Sequence, residues 1–183
     1  LQAGKGPGYE RWAKVFNLKQ MAQTINFLTE NNITDYETLV EKTKAATDRY
    51  HELSQQIKDL EKRMAEITEL KKHIINYSKT KEIYSAYRES GYSAKFNSDN
   101  SHDIMLHQHA KQAFNLLSHK QIPTMKSLQL EYQECLTMKN LLMKKYKSIK
   151  SIMNQSVVIK NNVDLILRAS VAKDGKTERI LEK

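Results

Sequence analysis

The stretch that decides the fold is ATDRYHELSQQIKDLEKRMAEITELKKHI, residues 46–74. Its apolar and aromatic residues recur at alternating steps of four and three, a heptad spacing that keeps one narrow stripe of an α-helix facing a partner helix. The residues of this seam are Ala46, Tyr50, Leu53, Ile57, Leu60, Met64, Ile67 and Ile74. From Gln55 to Arg63 the intervening residues are all charged or amides. The pattern therefore predicts a helix that packs against another long helix.

A second heptad pattern further along the chain supplies a partner of similar length. Its members are Leu128, Tyr132, Cys135, Leu142, Tyr146, Ile149, Met153, Val163 and Leu167, with polar residues at Lys139, Ser156 and Lys160. A further row beside this seam, at Ile152, Ile159 and Ile166, indicates a second neighbour near the end of the helix. We predict an all-α fold, an elongated antiparallel coiled-coil helical hairpin with a small helical tip and a three-helix base. In this pairing we expect Leu60 near Met153 and Tyr50 near Val163, with the register open by a turn or more.

Turn and composition signals divide the chain into a linker, a helical domain over residues 9–169 and a tail. Only five glycines and two prolines interrupt 183 residues, which favours helix. The predicted parts are a flexible linker at 1–8, an N-terminal helix at 9–31, a first long helix at 34–90, a tip with one short helix at 91–123, a second long helix at 124–168 and a frayed tail at 170–183. The predicted inner side of the N-terminal helix comprises Trp12, Val15, Phe16, Leu18, Ala22, Ile25 and Leu28.

Specific residues mark the ends of these helices. Thr34 and Glu37 have the spacing of a capping box, in which each side chain bonds the other residue's amide. Gly91 is expected to stop the first long helix, and the polar residues from 95 to 101 to form a loop. Ser101 is a candidate cap for the short helix of the tip. Pro123, followed by threonine, suits the opening of the second long helix.

The charge of the chain is uneven. The net charge is +9, and residues 124–168 carry eight basic and three acidic residues, against eight basic and nine acidic ones in residues 34–76. A basic helix suits a polyanionic partner, nucleic acid first and a membrane surface second, although solubility alone explains the charge equally well.

The remaining composition points to a cytoplasmic fragment. Cys135 is the only cysteine and lies on a seam, which predicts a small buried hydrophobic side chain without a disulfide, in a reducing compartment. No apolar run approaches the ~18 residues that a membrane span needs, so we expect no membrane insertion. The opening LQAGKGPG lacks a starting methionine, and we interpret it as a linker that follows an upstream domain.

Two groups of side chains are candidate DNA contacts. The first interleaves aromatic rings, which stack on unpaired bases, with cations, which contact phosphates, and comprises Lys79, Lys81, Tyr84, Tyr87, Arg88 and Lys95. The second is a dense set of lysines on the second long helix, Lys144, Lys145, Lys147 and Lys150. The alternative interpretation is that the tyrosines pack the tip and the lysines are simply solvated.

Catalysis and metal binding have little support in the sequence. His102, His107 and His109 are the metal candidates, but His107 and His109 point about 200° apart on a helix, whereas helical metal sites use i, i+3 or i+4 pairs. A tyrosine nucleophile needs a metal or general base beside it, and none is evident. We therefore expect no catalytic residue, no metal and no cofactor.

Three non-repetitive stretches resemble the region behind the catalytic domain of relaxase/mobilisation nucleases from Gram-positive conjugative or mobilisable elements. They are LQAGKGPGYERWAKVFNLKQMAQTINFLTENN at residues 1–32, IINYSKTKEIYSAYRESGYSAKF at residues 74–96 and IPTMKSLQLEY at residues 122–132. The resemblance implies an upstream nuclease domain, in which a tyrosine attacks the DNA at the transfer origin and histidines hold a metal. None of those catalytic residues can be assigned to this chain, which has no strand-borne His-x-His motif.

Two functions therefore follow as hypotheses. In the first, the chain is a non-catalytic helical accessory domain of a conjugative bacterial relaxase, which handles DNA near the transfer origin or docks to other proteins of the transfer machinery. In the second, it is a purely structural or protein-interaction coiled coil without nucleic-acid contact, either a single hairpin or a homodimer.

Overall fold

The computed structural model describes residues 6–117 and 121–181, with side chains for residues 14–117 and 121–169. Over these residues the chain is all-α, which confirms the predicted class. The helices are α1 (Gly6–Glu30), α2 (Tyr36–Glu89), α3 (Ala94–Asp99), α4 (Ser101–Asn115) and α5 (Met125–Leu181). None of the helices in the described part is both long and apolar enough to cross a lipid bilayer.

Three helix boundaries differ from those expected. Residues 1–5 of the predicted linker lie outside the described residues, and the helix already begins at Gly6. Helix α3 occupies most of the expected loop, where Phe96 stacks on Tyr87 and gives the segment a packing partner. Helix α5 continues to Leu181, so the backbone of the expected tail is helical as far as that residue. No proline interrupts that segment, and a single glycine costs a helix only about 1 kcal/mol.

The cap of α2 lies one residue later than expected. The Thr38 amide donates to the Asp35 carboxylate at 2.7 Å, and the Thr38 hydroxyl donates to the same group at 2.8 Å. Asp35 therefore caps the helix in place of Thr34, because a carboxylate can accept both bonds at once. The same bonds hold the pKa of Asp35 below its ordinary value.

The other helix ends also use local hydrogen bonds. Gly91 and Tyr92 adopt left-handed φ angles of 64° and 61°, and the Tyr92 amide bonds the Tyr87 carbonyl, as is typical of a helix C-terminus. Thr124 caps α5 by accepting a bond from the Ser127 amide at 3.1 Å. The expected cap at Ser101 is wrong, because this residue is already the first residue of α4.

Contacts within the chain define two compact units, and α2 and α5 contribute to both. Unit 1 comprises residues 1–54 and 145–183, and unit 2 comprises residues 55–144. In unit 1 a hydrophobic core forms where α1 ends, α2 begins and α5 passes. Its buried members are Ile33, Leu39 and Ile159, with Phe27, Leu28 and Val163 packed against them.

Contacts in unit 1 show the direction and register of α2 against α5. Tyr36 donates to Asp164 at 2.7 Å, and the hydroxyls of Tyr50 and Tyr146 lie 3.0 Å apart with their rings stacked. As the residue numbers increase along α2, those of the contacting residues on α5 decrease, so the two helices are antiparallel. The expected neighbour of Tyr50, Val163, instead packs on the core described above. Heptad stripes still face each other after a shift of whole heptads, so the pattern alone does not fix register.

The helices of unit 2 pair in the same antiparallel sense. Lys139 bonds Glu61 and Arg63 bonds Glu131, each at 2.7 Å. Lys71 donates to Gln129 at 2.6 Å.

The α2 seam is the best-predicted feature of the chain. All eight residues of that seam are buried or half-buried, whereas the charged and amide residues between Gln55 and Arg63 are exposed. The α5 seam is likewise buried or half-buried except at its last member, Leu167, which is 45% exposed. Leu167 lies beyond Asp164, the partner of the first residue of α2, so α2 does not extend along it.

Candidate nucleic-acid interface

The middle of α5 is a long stretch without acidic residues. Residues 135–163 contain six lysines and neither aspartate nor glutamate. The two outer lysines are half-buried and paired, Lys139 with Glu61 at 2.7 Å and Lys160 with Asp164 at 2.8 Å. The other four, here called the α5 lysines, are exposed: Lys144, Lys145, Lys147 and Lys150.

The α5 lysines are not held by acidic partners. No ion pair among the described residues involves any of them. Lys150 is the one with a ring contact, since its Nζ lies 5.9 Å from the centroid of the Tyr146 ring. Along the helix, Lys144, Lys147 and Lys150 follow at steps of three and form a stripe about 120° wide. The three unpaired cations of this stripe can contact successive phosphates, whereas Lys145 points about 160° away from the middle of the stripe.

A cluster of rings, which includes Tyr84 of the first group of candidate DNA contacts, lies where α2 packs on α4 in unit 2. The buried imidazole of His107 is stacked between two rings, with centroid distances of 4.4 Å to Tyr77 and 4.2 Å to Tyr84. Its Nδ1 lies 3.1 Å from the hydroxyl of Thr80. Burial, with a smaller contribution from the charge of Lys111, lowers the pKa of His107 below its ordinary value. This cluster is not among the predicted sites, although Tyr77, Thr80 and Tyr84 follow at steps of three and four in the sequence.

The aromatic residues proposed to stack on DNA bases already contact other rings. Tyr84 stacks on His107, and Tyr87 contacts Tyr84, Tyr92 and Phe96. Both tyrosines are half-buried. The cations of the same group are exposed: Lys79, Lys81, Arg88 and Lys95. These contacts favour a packing role for the tyrosines, as the alternative interpretation has it.

The three histidines considered as metal ligands are in different environments. His107 is buried in the ring stack, while His102 and His109 are exposed. Over the part of the chain that the structure describes, no group of three or more His, Cys, Asp and Glu side chains is close enough to hold an ion.

The buried His107 predicts a pH dependence of stability. With its pKa lowered in the folded chain, the unfolded chain takes up the proton first as the pH falls. Stability should therefore decrease as the pH drops below the unfolded value of about 6.5, until the folded pKa is reached. Thermal melts at about pH 7.5 and about pH 5.5 should show a lower midpoint at the acidic pH.

Two variants separate His107 from the other histidines. His109 is exposed on the same helix, so His109→Gln should leave the difference between the two melts unchanged. His107→Gln should reduce that difference, even though it also lowers both midpoints by disturbing the ring stack. Equal pH dependence in the two variants would contradict the assignment.

The chain therefore has two candidate functional features in its described part, the α5 lysines and the ring cluster around His107. The first offers a cationic surface, and the second is an interior packing arrangement with one titratable group. Comparison of the chain with protein-family models, curated proteins and solved structures finds no match.

Proposed function

We propose that this chain is a non-catalytic helical accessory domain of a conjugative bacterial DNA relaxase, which acts in the cytoplasm. In this role it handles DNA near the transfer origin. The support for the relaxase context is the resemblance of residues 1–32, 74–96 and 122–132 to the region behind the nuclease domain of that family.

The observation that carries the DNA-handling part is the acid-free stretch of α5. Within this stretch, Lys139 and Lys160 are paired with carboxylates, whereas the four α5 lysines are exposed. Cations of this kind neutralise phosphates and release condensed counterions, which gives affinity without sequence selectivity. Such a surface suits a domain that holds DNA while another domain chooses the site.

We also propose that α2 and α5 form an antiparallel coiled-coil hairpin, with α3 and α4 as its tip and α1 completing a three-helix base. The antiparallel contacts within each unit support this arrangement, as does the full or partial burial of both heptad seams up to Val163. In this hairpin the α5 lysines lie on a continuous α-helix. Preorganised cations lose less conformational freedom on binding than cations on a mobile loop.

The contribution of the tyrosines can be tested by comparing single-stranded with double-stranded DNA. Stacking on unpaired bases is worth about 1–3 kcal/mol per base and acts on single strands only. If lysines make the contacts, Tyr84→Ala should change affinity for both forms by less than about threefold, because Tyr84 is engaged with His107. Fluorescence anisotropy with labelled strands of equal length measures both affinities.

A selective loss of single-strand binding in Tyr84→Ala would instead show that the tip stacks on bases. The control is Tyr36→Ala, which removes a tyrosine that bonds Asp164 in unit 1. Circular dichroism must show equal helix content in all three proteins before affinities are compared. The coiled-coil hypothesis without nucleic-acid contact requires that neither form of DNA binds.

A further inference from the structure

A groove of about 460 Å³, here called the amide groove, lies between α1 and α5 in unit 1. The deeper part of its lining is apolar, since Ile159 is buried and Phe27 is half-buried against the core of unit 1. A groove of this volume with an apolar lining and a few convergent polar groups has the usual composition of a small-ligand site. The exposed part of the lining carries four amide side chains, Gln23, Asn26, Asn154 and Gln155.

The amide groove is a consequence of the side that α1 turns toward α5. Thr24 is buried there, and the Asn162 amide group donates to Gln20 and to Thr24, each at 3.1 Å. The expected inner side of α1 is therefore wrong, and Leu18 and Ile25 of that side are 68% and 60% exposed. Because polar residues make the helix contact, amides also border it.

The four amides of the groove differ from the two in the helix contact. Gln20 and Asn162 bond each other, whereas no hydrogen bond among residues 14–117 and 121–169 uses the side-chain amides of the groove. Each amide offers a donor and an acceptor side by side, which matches the polar edge of a nucleobase. Glu30 also lines the groove, and a carboxylate accepts hydrogen bonds only. An acceptor at this place favours a base that carries an exocyclic amino group.

The amide groove lies in line with two of the α5 lysines. Asn154 follows Lys147 by seven residues and Lys150 by four, so the three side chains share one face of α5. All of them belong to unit 1. The step from Lys150 to Asn154 is about 6 Å along the helix axis. A strand with its phosphates on the two lysines therefore places a following nucleotide at the groove.

We propose that the amide groove binds one unpaired base of a DNA single strand whose phosphates lie on Lys147 and Lys150, and that it favours a base with an exocyclic amino group. The apolar lining contacts the face of the base, as aromatic side chains do in single-strand binding proteins, and the amides with Glu30 contact its edge. The inference rests on the proposed DNA handling and adds a base preference, which phosphate contacts alone do not provide. Duplex DNA keeps its bases paired and stacked, so it cannot fill the groove.

The test compares labelled oligodeoxycytidine with oligodeoxyuridine of about twelve nucleotides, by fluorescence anisotropy on the whole chain. The two strands have the same phosphates and differ only on the pairing edge of the base, where cytosine carries the amino group. We expect the cytidine strand to bind at least about fivefold more tightly. Glu30→Gln should reduce this ratio to less than about twofold, because an amide can accept from cytosine or donate to uracil. The control is Glu41→Gln, which removes the same charge from an exposed residue of α2 in unit 1 and should keep the ratio.

A second pair of variants tests the amides. Gln23→Ala with Asn154→Ala should weaken binding of the cytidine strand at least about fivefold and change duplex binding by less than about twofold. The matched control is Asn97→Ala with Gln108→Ala, which removes two exposed amides from α3 and α4 and should change neither affinity by more than about twofold. Since all the substituted side chains are exposed, the variants should keep the helix content of the unmodified protein, which circular dichroism checks.

Each outcome decides the proposal. Equal affinities for the two strands overturn the base preference and leave phosphate binding by the lysines intact. A preference that survives Glu30→Gln, or single-strand binding that is insensitive to the amide variant, shows that the groove does not hold the base and overturns the inference. If neither single-stranded nor double-stranded DNA binds, the proposed DNA handling fails as well, so the two failures are distinguishable.

Discussion

Changing all four α5 lysines to glutamine should weaken binding to single-stranded and double-stranded DNA alike. Phosphates are present in both forms, and lysines that bind them read no sequence information. The plot of log K against log salt should become less steep by up to about one unit for each phosphate that is no longer neutralised, and so by up to about three for the stripe. Affinity at low salt should fall by at least roughly tenfold. Anisotropy titrations at several salt concentrations measure both effects.

A matched variant separates a local surface from general electrostatic attraction. Lys44, Lys58, Lys62 and Lys72 are exposed lysines of α2. Changing them to glutamine removes the same number of positive charges from a different helix. If DNA binds along α5, this variant should keep most of the affinity and most of the salt slope. Equal reductions in the two variants would show that net charge alone attracts DNA, and would contradict a defined interface.

Leu53→Ala should destabilise the fold by about 2–5 kcal/mol. Leu53 is a central residue of the α2 seam and is only 1% exposed, so truncation removes buried apolar atoms and leaves a cavity. Because domains of this size are stable by about 5–15 kcal/mol, the decrease would be a large fraction of the total. Urea denaturation followed by circular dichroism measures the difference.

The control for this prediction uses the same chemical change at an exposed site. Leu141 is 51% exposed on α5, so Leu141→Ala should change stability by less than about 0.5 kcal/mol. Comparable destabilisation in the two variants would mean that the seam has been assigned to the wrong face of α2.

The period of the sequence was sufficient to predict that the seam residues of α2 from Ala46 to Ile74 are buried or half-buried, but not that Leu39, Thr43 and Thr80 are buried as well. Alternation of apolar and charged residues at heptad spacing depends only on local helix geometry, and every seam residue from Ala46 to Ile74 follows it. The same pattern could not predict that Tyr50 meets Tyr146, because register is set by the connections and by individual cross-helix bonds. Leu167 was misassigned for a related reason, since its burial depends on where α2 begins.

The candidate sites were predictable to different degrees. The α5 lysines were recognised from their density in the sequence, and exposure separates them from Lys139 and Lys160, which have acidic partners. The stack of Tyr77, His107 and Tyr84 joins residues of α2 and α4, and no local pattern encodes such a contact. The side of α1 that faces α5 was misassigned because its contact uses polar groups, Gln20, Thr24 and Asn162.

The most direct test of the central claim is the salt dependence of DNA binding by the unmodified chain. With the three lysines of the stripe on phosphates, log K for a labelled duplex should fall with log salt at a slope of about −2.7, and for a single strand at about −2.1. A chain that binds neither form at about 50 mM salt, or binds with an affinity independent of salt, would contradict DNA handling by α5.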